Sequence, residues 1–88
     1  MIEAYVLISV SEEINSAELA ADMMLWEEVD NLHLIYGEWD IVAYVMVEDV
    51  AKLRNFSLNK LLKSPGIAKT QTLIIADRVH DGKDSKKV

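Results

Sequence analysis

From Ile2 to Val10 apolar residues alternate, with Ile2, Ala4, Val6, Ile8 and Val10 on one face and Tyr5 and Leu7 on the other, which is the period-two pattern of a strand. Ser11-Glu12-Glu13-Ile14 is a polar connection. Asn15, followed three residues later by Glu18, is a start signal for a helix running to about Trp26, with Leu19, Ala20, Met23, Met24, Leu25 and Trp26 as a wide apolar stripe. Val29 to Tyr36 and Asp40 to Val47 are rich in β-branched and aromatic residues, and pair as an antiparallel hairpin across Tyr36-Gly37-Glu38-Trp39-Asp40. Glu48 and Asp49 open a second helix, where acids suit the positive end, and Val50, Leu53, Ser57 and Leu61 recur on one face. Ser64-Pro65-Gly66 stops it. Ile67 to Ala76 is a fourth strand, with Thr70 and Thr72 on one face and Gln71, Leu73 and Ile75 on the other. The polar residues 78–88 are expected to form a charged, unfolded tail, leaving 1–77 as one domain.

The order βαββαβ predicts an α+β, ferredoxin-like sandwich: a four-stranded antiparallel sheet with both helices on one face. Its other face is then unusually apolar, because Tyr5, Leu7, Val42, Tyr44, Met46, Leu73 and Ile75 point away from the helices. A large apolar side chain left in water forgoes about 1.5–3 kcal/mol. Seven such residues rival the whole stability of a domain, about 5–15 kcal/mol. A second copy covering this face, giving a homodimer with two sheets packed face to face, follows from that comparison. Chain length points the same way, since 88 residues bury only about 60–65% of their unfolded surface.

Charge adds a direction to this picture. The net charge is −6, but twelve acids lie between Glu3 and Asp49 with no Lys or Arg among them, while Lys52, Arg54, Lys60, Lys63 and Lys69 follow. Phosphate backbones are held by clustered Lys and Arg, so direct DNA binding is not expected. The split favours complementary packing between the two halves of neighbouring subunits, with charge setting register. Without cysteine there is no disulfide framework and no thiolate metal site. The opening residues carry an acid at position three and are too short to span a bilayer, so a cytoplasmic protein with no membrane contact is expected.

The stretch from Tyr36 to Asp40 is the best candidate for a site. Gly37 can adopt φ > 0 and admit a ligand close to the backbone. Trp39 offers a flat apolar surface, and Asp40 a carboxylate beside turn amides. Gly and Asp are also ordinary turn chemistry, and Asp40 can simply cap its own turn. Catalytic groups are not expected: His33 sits among apolar strand residues, His80 in the tail, and neither has a nucleophile or carboxylate at a convincing spacing. His33 is read as structural. No metal site, cofactor or phosphate-binding glycine loop is expected.

Gly37-Glu38-Trp39-Asp40 opening an apolar strand, then Pro65-Gly66-Ile67 and Thr70-Gln71-Thr72-Leu73, resemble the effector-binding domain of the Lrp/AsnC transcription regulators over residues 2 to about 76. Trp39 stands where that family usually has Tyr, and strand one is not followed by the common glycine. The resemblance is to stand-alone members that lack the DNA-binding helix-turn-helix. It implies a dimeric α/β barrel assembled into a ring of dimers, such as an octamer, with small effectors, typically amino acids, bound between dimers. It also implies that Gly37, Glu38, Trp39 and Asp40 line the pocket and that Thr70 and Thr72 supply hydroxyls to it. The function implied is amino-acid sensing that modulates transcription through full-length regulators of the family. The alternative is a small dimeric α/β-barrel enzyme, such as a cofactor-free monooxygenase, with His33, Trp39 and Tyr44 near a pocket. An enzyme should carry a polar cluster on the sheet, whereas aliphatic residues are expected to fill it.

Overall fold

The computed structural model describes residues 1–77; the expected charged tail and His80 lie outside the described residues. Strands β1 (Ile2–Val10), β2 (Val29–Leu34), β3 (Ile41–Val47) and β4 (Ile67–Ile74) form one antiparallel sheet in the order β2-β3-β1-β4. Helix α1 (Ser16–Met23) joins β1 to β2, and α2 (Val50–Phe56), continued by a π-helical turn (Ser57–Leu61), joins β3 to β4. This is the expected ferredoxin-like βαββαβ arrangement.

Both helix starts are built as their sequences predict. Asn15 Oδ1 accepts from the Ala17 and Glu18 amides at 2.9 and 3.1 Å. Asp49 Oδ1 accepts from Lys52 N at 2.8 Å, satisfying amides with no partner inside the helix. The first helix is shorter than expected. It stops at Met23, so Met24 and Leu25 turn outward, 45% and 83% exposed, while Trp26 comes back under the helices and meets Phe56 edge-to-face at 5.8 Å.

The second helix also departs from its expected face. Val50 is 59% exposed, and the buried residues are Leu53, Phe56 and Leu61. In an α-helix residues five apart point about 140° away from each other. Here Leu62 N donates to Ser57 O, five residues back, at 3.0 Å, and this wider turn lets Phe56 and Leu61 enter the same core. The turn is tied to the sheet by an ion pair from Lys60 Nζ to Glu28 Oε1 at 2.6 Å.

Ala4, Val6 and Ile8 of β1, Ile41, Ala43, Val45 and Val47 of β3, and the helix residues Leu19, Ala20, Met23, Leu53, Phe56 and Leu61 form the core between sheet and helices. Register fixes the opposite face. Tyr5 lies across from Tyr44 and Leu73, Leu7 from Val42, Glu3 from Met46 and His33 from Val42. The apolar residues expected to point away from the helices therefore share one open sheet face.

Gly66 fixes the return into β4. Its φ is +96°, its carbonyl accepts from Ser11 N at 2.8 Å, and an added Cβ would lie 2.8 Å from Ile14 Cγ1. Gly66→Ala meets both backbone strain and a stiff β-branched neighbour, and is expected to lose about 1–3 kcal/mol in urea unfolding. Adding Ile14→Ala should restore part of that loss; strict additivity in the double mutant would exclude the contact as a cause.

Candidate functional site

The turn between β2 and β3 is longer than a tight hairpin, running from Ile35 to Asp40, with the β2–β3 register shifting between Val29 and Asn31. Tyr36, Gly37 and Glu38 are exposed, and Gly37 has φ +137° with nothing within 4 Å of an added Cβ. Its backbone demands glycine, and the space beside it is open.

Asp40 is the fixed point of this turn. Its amide donates to Ile8 O at 2.9 Å, its carbonyl accepts from Ile35 N at 2.9 Å, and its Oδ2 accepts from Val10 N at 2.7 Å. The half-buried carboxylate thus clips the turn onto the far end of β1, where β1 changes register against β4. The carboxylate caps a neighbouring strand, where the sequence suggested a cap on its own turn. Trp39 is half-buried, and Lys69 Nζ of β4 lies over its ring, 5.1 Å from the centroid.

Thr70 and Thr72 sit differently. They lie in register with Ile8 and Val6, whose side chains are buried under the helices, so the threonines are on the helix side of β4 and half-buried. Ile8 is in register with Ile41, so β1 stands between Thr70 and the end of the turn. Within one chain the structure brings Trp39 and Asp40 against β1 and β4, while the threonines face the other side of the sheet at that end.

Lys69 was missed by sequence reasoning. The available signal was alternation in β4, which puts Lys69, Gln71 and Leu73 on one face; its meeting with Trp39 depends on β1 lying between them.

The open sheet face holds a cavity of about 540 Å³, lined by Glu3, Tyr5, Asn31, His33, Val42, Tyr44 and Ile75. Tyr44 Oη donates to Glu3 Oε1, and the Tyr5 and Tyr44 rings stand 5.6 Å apart, tilted by 42°. This corrects the expectation of a face filled by aliphatics: polar residues from three strands gather in it, His33 among them. Alternation in β1 already placed Glu3 beside Tyr5, but the register shift between Val29 and Asn31 in β2 puts Val29 in the core and Asn31 and His33 on the open face, which strict alternation does not give. Trp39 does not line this cavity. Among the described residues no group of three or more His, Cys, Asp or Glu is placed to hold a metal ion, and no helix is long and apolar enough to cross a membrane.

Comparison with known proteins places this geometry. The Lrp/AsnC ligand binding domain model matches residues 3–84. The leucine-responsive regulatory protein of Haemophilus influenzae is 33% identical over 70 residues, covering 80% of this chain and 39% of that protein. The chain thus spans about two fifths of the length of the curated relatives it matches, 39% and 41% for two of them. Among solved structures, TTHA0845 from Thermus thermophilus superposes with a TM-score of 0.81 at 28% identity, covering 92% of this chain and 99% of that one. The fold also matches the transcriptional regulator NMB0573 from Neisseria meningitidis, solved as an L-Met complex, with a TM-score of 0.82 at 22% identity over 91% of this chain and 53% of that one. With the family model matching nearly its whole length, this chain belongs to the Lrp/AsnC ligand-binding domain family.

Proposed function

We propose that this chain is a cytoplasmic, amino-acid-sensing module that pairs through its open sheet face, assembles further into a ring of dimers, and modulates transcription through full-length regulators of its family. The observation that carries the reading is the turn itself, an open, glycine-dependent surface held in place by the Asp40 clip, in a chain of this family. Glu38 and Asp40 offer acceptors for an ammonium, turn amides offer donors for a carboxylate, and Trp39 offers a flat apolar wall. Gly37, Glu38, Trp39 and Asp40 of one dimer, with Thr70 and Thr72 supplied by the neighbouring dimer, form the proposed effector site between dimers. That NMB0573 was solved with L-Met supports an amino acid as the ligand class. The acidic stretch before Asp49 and the basic one after it supply complementary surfaces for ring assembly, and direct DNA binding is not part of this reading.

A thermal-shift screen of the twenty amino acids tests it, since a ligand that binds only the folded state raises the melting temperature. One or a few amino acids should do so. Asp40→Asn keeps an acceptor for Val10 N but removes the charge, so it should melt close to the wild type and bind the effector about tenfold more weakly. No stabilisation by any amino acid, or an unchanged affinity in Asp40→Asn, would overturn the role of the turn.

A second reading has one observation behind it. The polar group around the open-face cavity, Glu3, Asn31, His33 and Tyr44, is what a small barrel enzyme such as a cofactor-free monooxygenase would need. The relatives' identity as transcription regulators favours the first reading.

A further inference from the structure

We infer that Lys69 is the residue that recognises the effector's α-carboxylate, making the turn a site for zwitterions. This rests on the amino-acid reading above and names the group which that reading left to backbone amides and hydroxyls.

An α-amino acid presents a carboxylate and an ammonium a few ångströms apart, so its site needs both signs of charge. The turn supplies negative charge in Glu38 and Asp40. The threonines lie on the helix side of the sheet, and the other cations of the described chain are elsewhere: Lys52 and Arg54 are on α2, Lys60 is paired with Glu28, and Lys63 follows the π-helical turn. Among the described lysines and arginines, Lys69 alone is placed against the turn. It lies in register with Ser9 of β1, the residue before the amide that Asp40 holds, and its Nζ lies 5.1 Å from the Trp39 ring centroid. Positive charge on β4 therefore meets the indole of the turn that carries the negative charge, across β1 at one end of the sheet.

An exposed lysine held over an indole keeps a mobile ammonium near the ring without burying it. A carboxylate arriving beside Trp39 can accept a charge-assisted hydrogen bond from Nζ, while the ligand's ammonium faces the carboxylates and its side chain lies along the indole. A ligand without a free carboxylate forgoes that bond.

The test compares the amino acid giving the largest thermal shift with its α-amide, by calorimetry, on the wild type, Lys69→Gln and Lys69→Arg. On the wild type the acid should bind about tenfold or more tightly than the amide. Lys69→Gln should weaken the acid by a similar factor, leave the amide nearly unchanged and so erase the preference, while Lys69→Arg restores it. Loss of a merely structural cation–π contact would weaken both ligands equally. Equal weakening, or an acid preference that survives in Lys69→Gln, overturns the role of Lys69 while leaving amino-acid binding at the turn intact. Absence of binding by every amino acid overturns both together. Lys69 is exposed, so its replacement is expected to leave the melting temperature of the free protein close to that of the wild type.

Discussion

Phe56→Ala is expected to remove about 3–5 kcal/mol from the stability of the chain, the largest effect of any single truncation considered. Phe56 is 1% exposed and ends α2 where the π-helical turn begins. Its ring is the edge-to-face partner of Trp26, which arrives from beyond the end of α1, so the substitution empties the place where the two helical segments meet. Because a domain of this size holds about 5–15 kcal/mol in total, the variant should unfold at much lower urea and populate unfolded chain before denaturant is added. Phe56→Leu refills most of the volume and should recover more than half of the loss. Urea curves followed by circular dichroism measure both variants. A Phe56→Ala loss below about 1 kcal/mol would mean that the core collapses around the gap, contrary to a tight junction between Phe56 and Trp26.

Leu73→Asp should leave the fold intact and abolish pairing. Leu73 is 46% exposed on the single chain and lies opposite Tyr5 on the open face, so a polar residue there is tolerated by the monomer. When two sheets pack on that face, each dimer must bury two carboxylates, and an uncompensated buried charge costs several kcal/mol. The dimer dissociation constant is expected to rise at least about a hundredfold, two powers of ten corresponding to about 2.8 kcal/mol. Sedimentation equilibrium reads the association and circular dichroism the fold. A Leu73→Asp protein that pairs as tightly as the wild type would place the dimer contact on another surface.

Local signals in the chain translated well into structure. Asn15 and Asp49 cap their helices because a short side-chain acceptor beside free amides needs no knowledge of the rest of the chain. The faces of β1, β3 and β4 were legible because alternation with period two admits only two assignments, and Tyr5, Leu7 and Val42 settle which one. The π-helical turn was not legible. A search for a 3.6-residue period registers an inserted residue only as a slightly imperfect stripe, so it assigns Ser57 the place where Phe56 packs. The site was legible as a place but not as a set of contacts. Gly37 and Asp40 announce a turn, whereas the Asp40 bond to Val10 and the Lys69 approach to Trp39 each span about thirty residues and depend on the placing of β1 between β3 and β4. Glu3 and Tyr44, 41 residues apart, meet for the same reason.

Strand β1 has a further consequence, for synthesis. Although it precedes every other element in the chain, it occupies an interior place in the sheet, with β3 on one edge and β4 on the other. During translation its nine residues leave the ribosome long before either partner. One edge waits for Ile41–Val47 and the other for Ile67–Ile74. Until then a nearly continuous apolar segment with two unpaired backbone edges is exposed, the condition under which nascent chains pair with each other or engage chaperones. Such long-range pairing slows folding. Substitutions in β4 therefore act first on how long the nascent chain carries an open edge, and only afterwards on the finished protein.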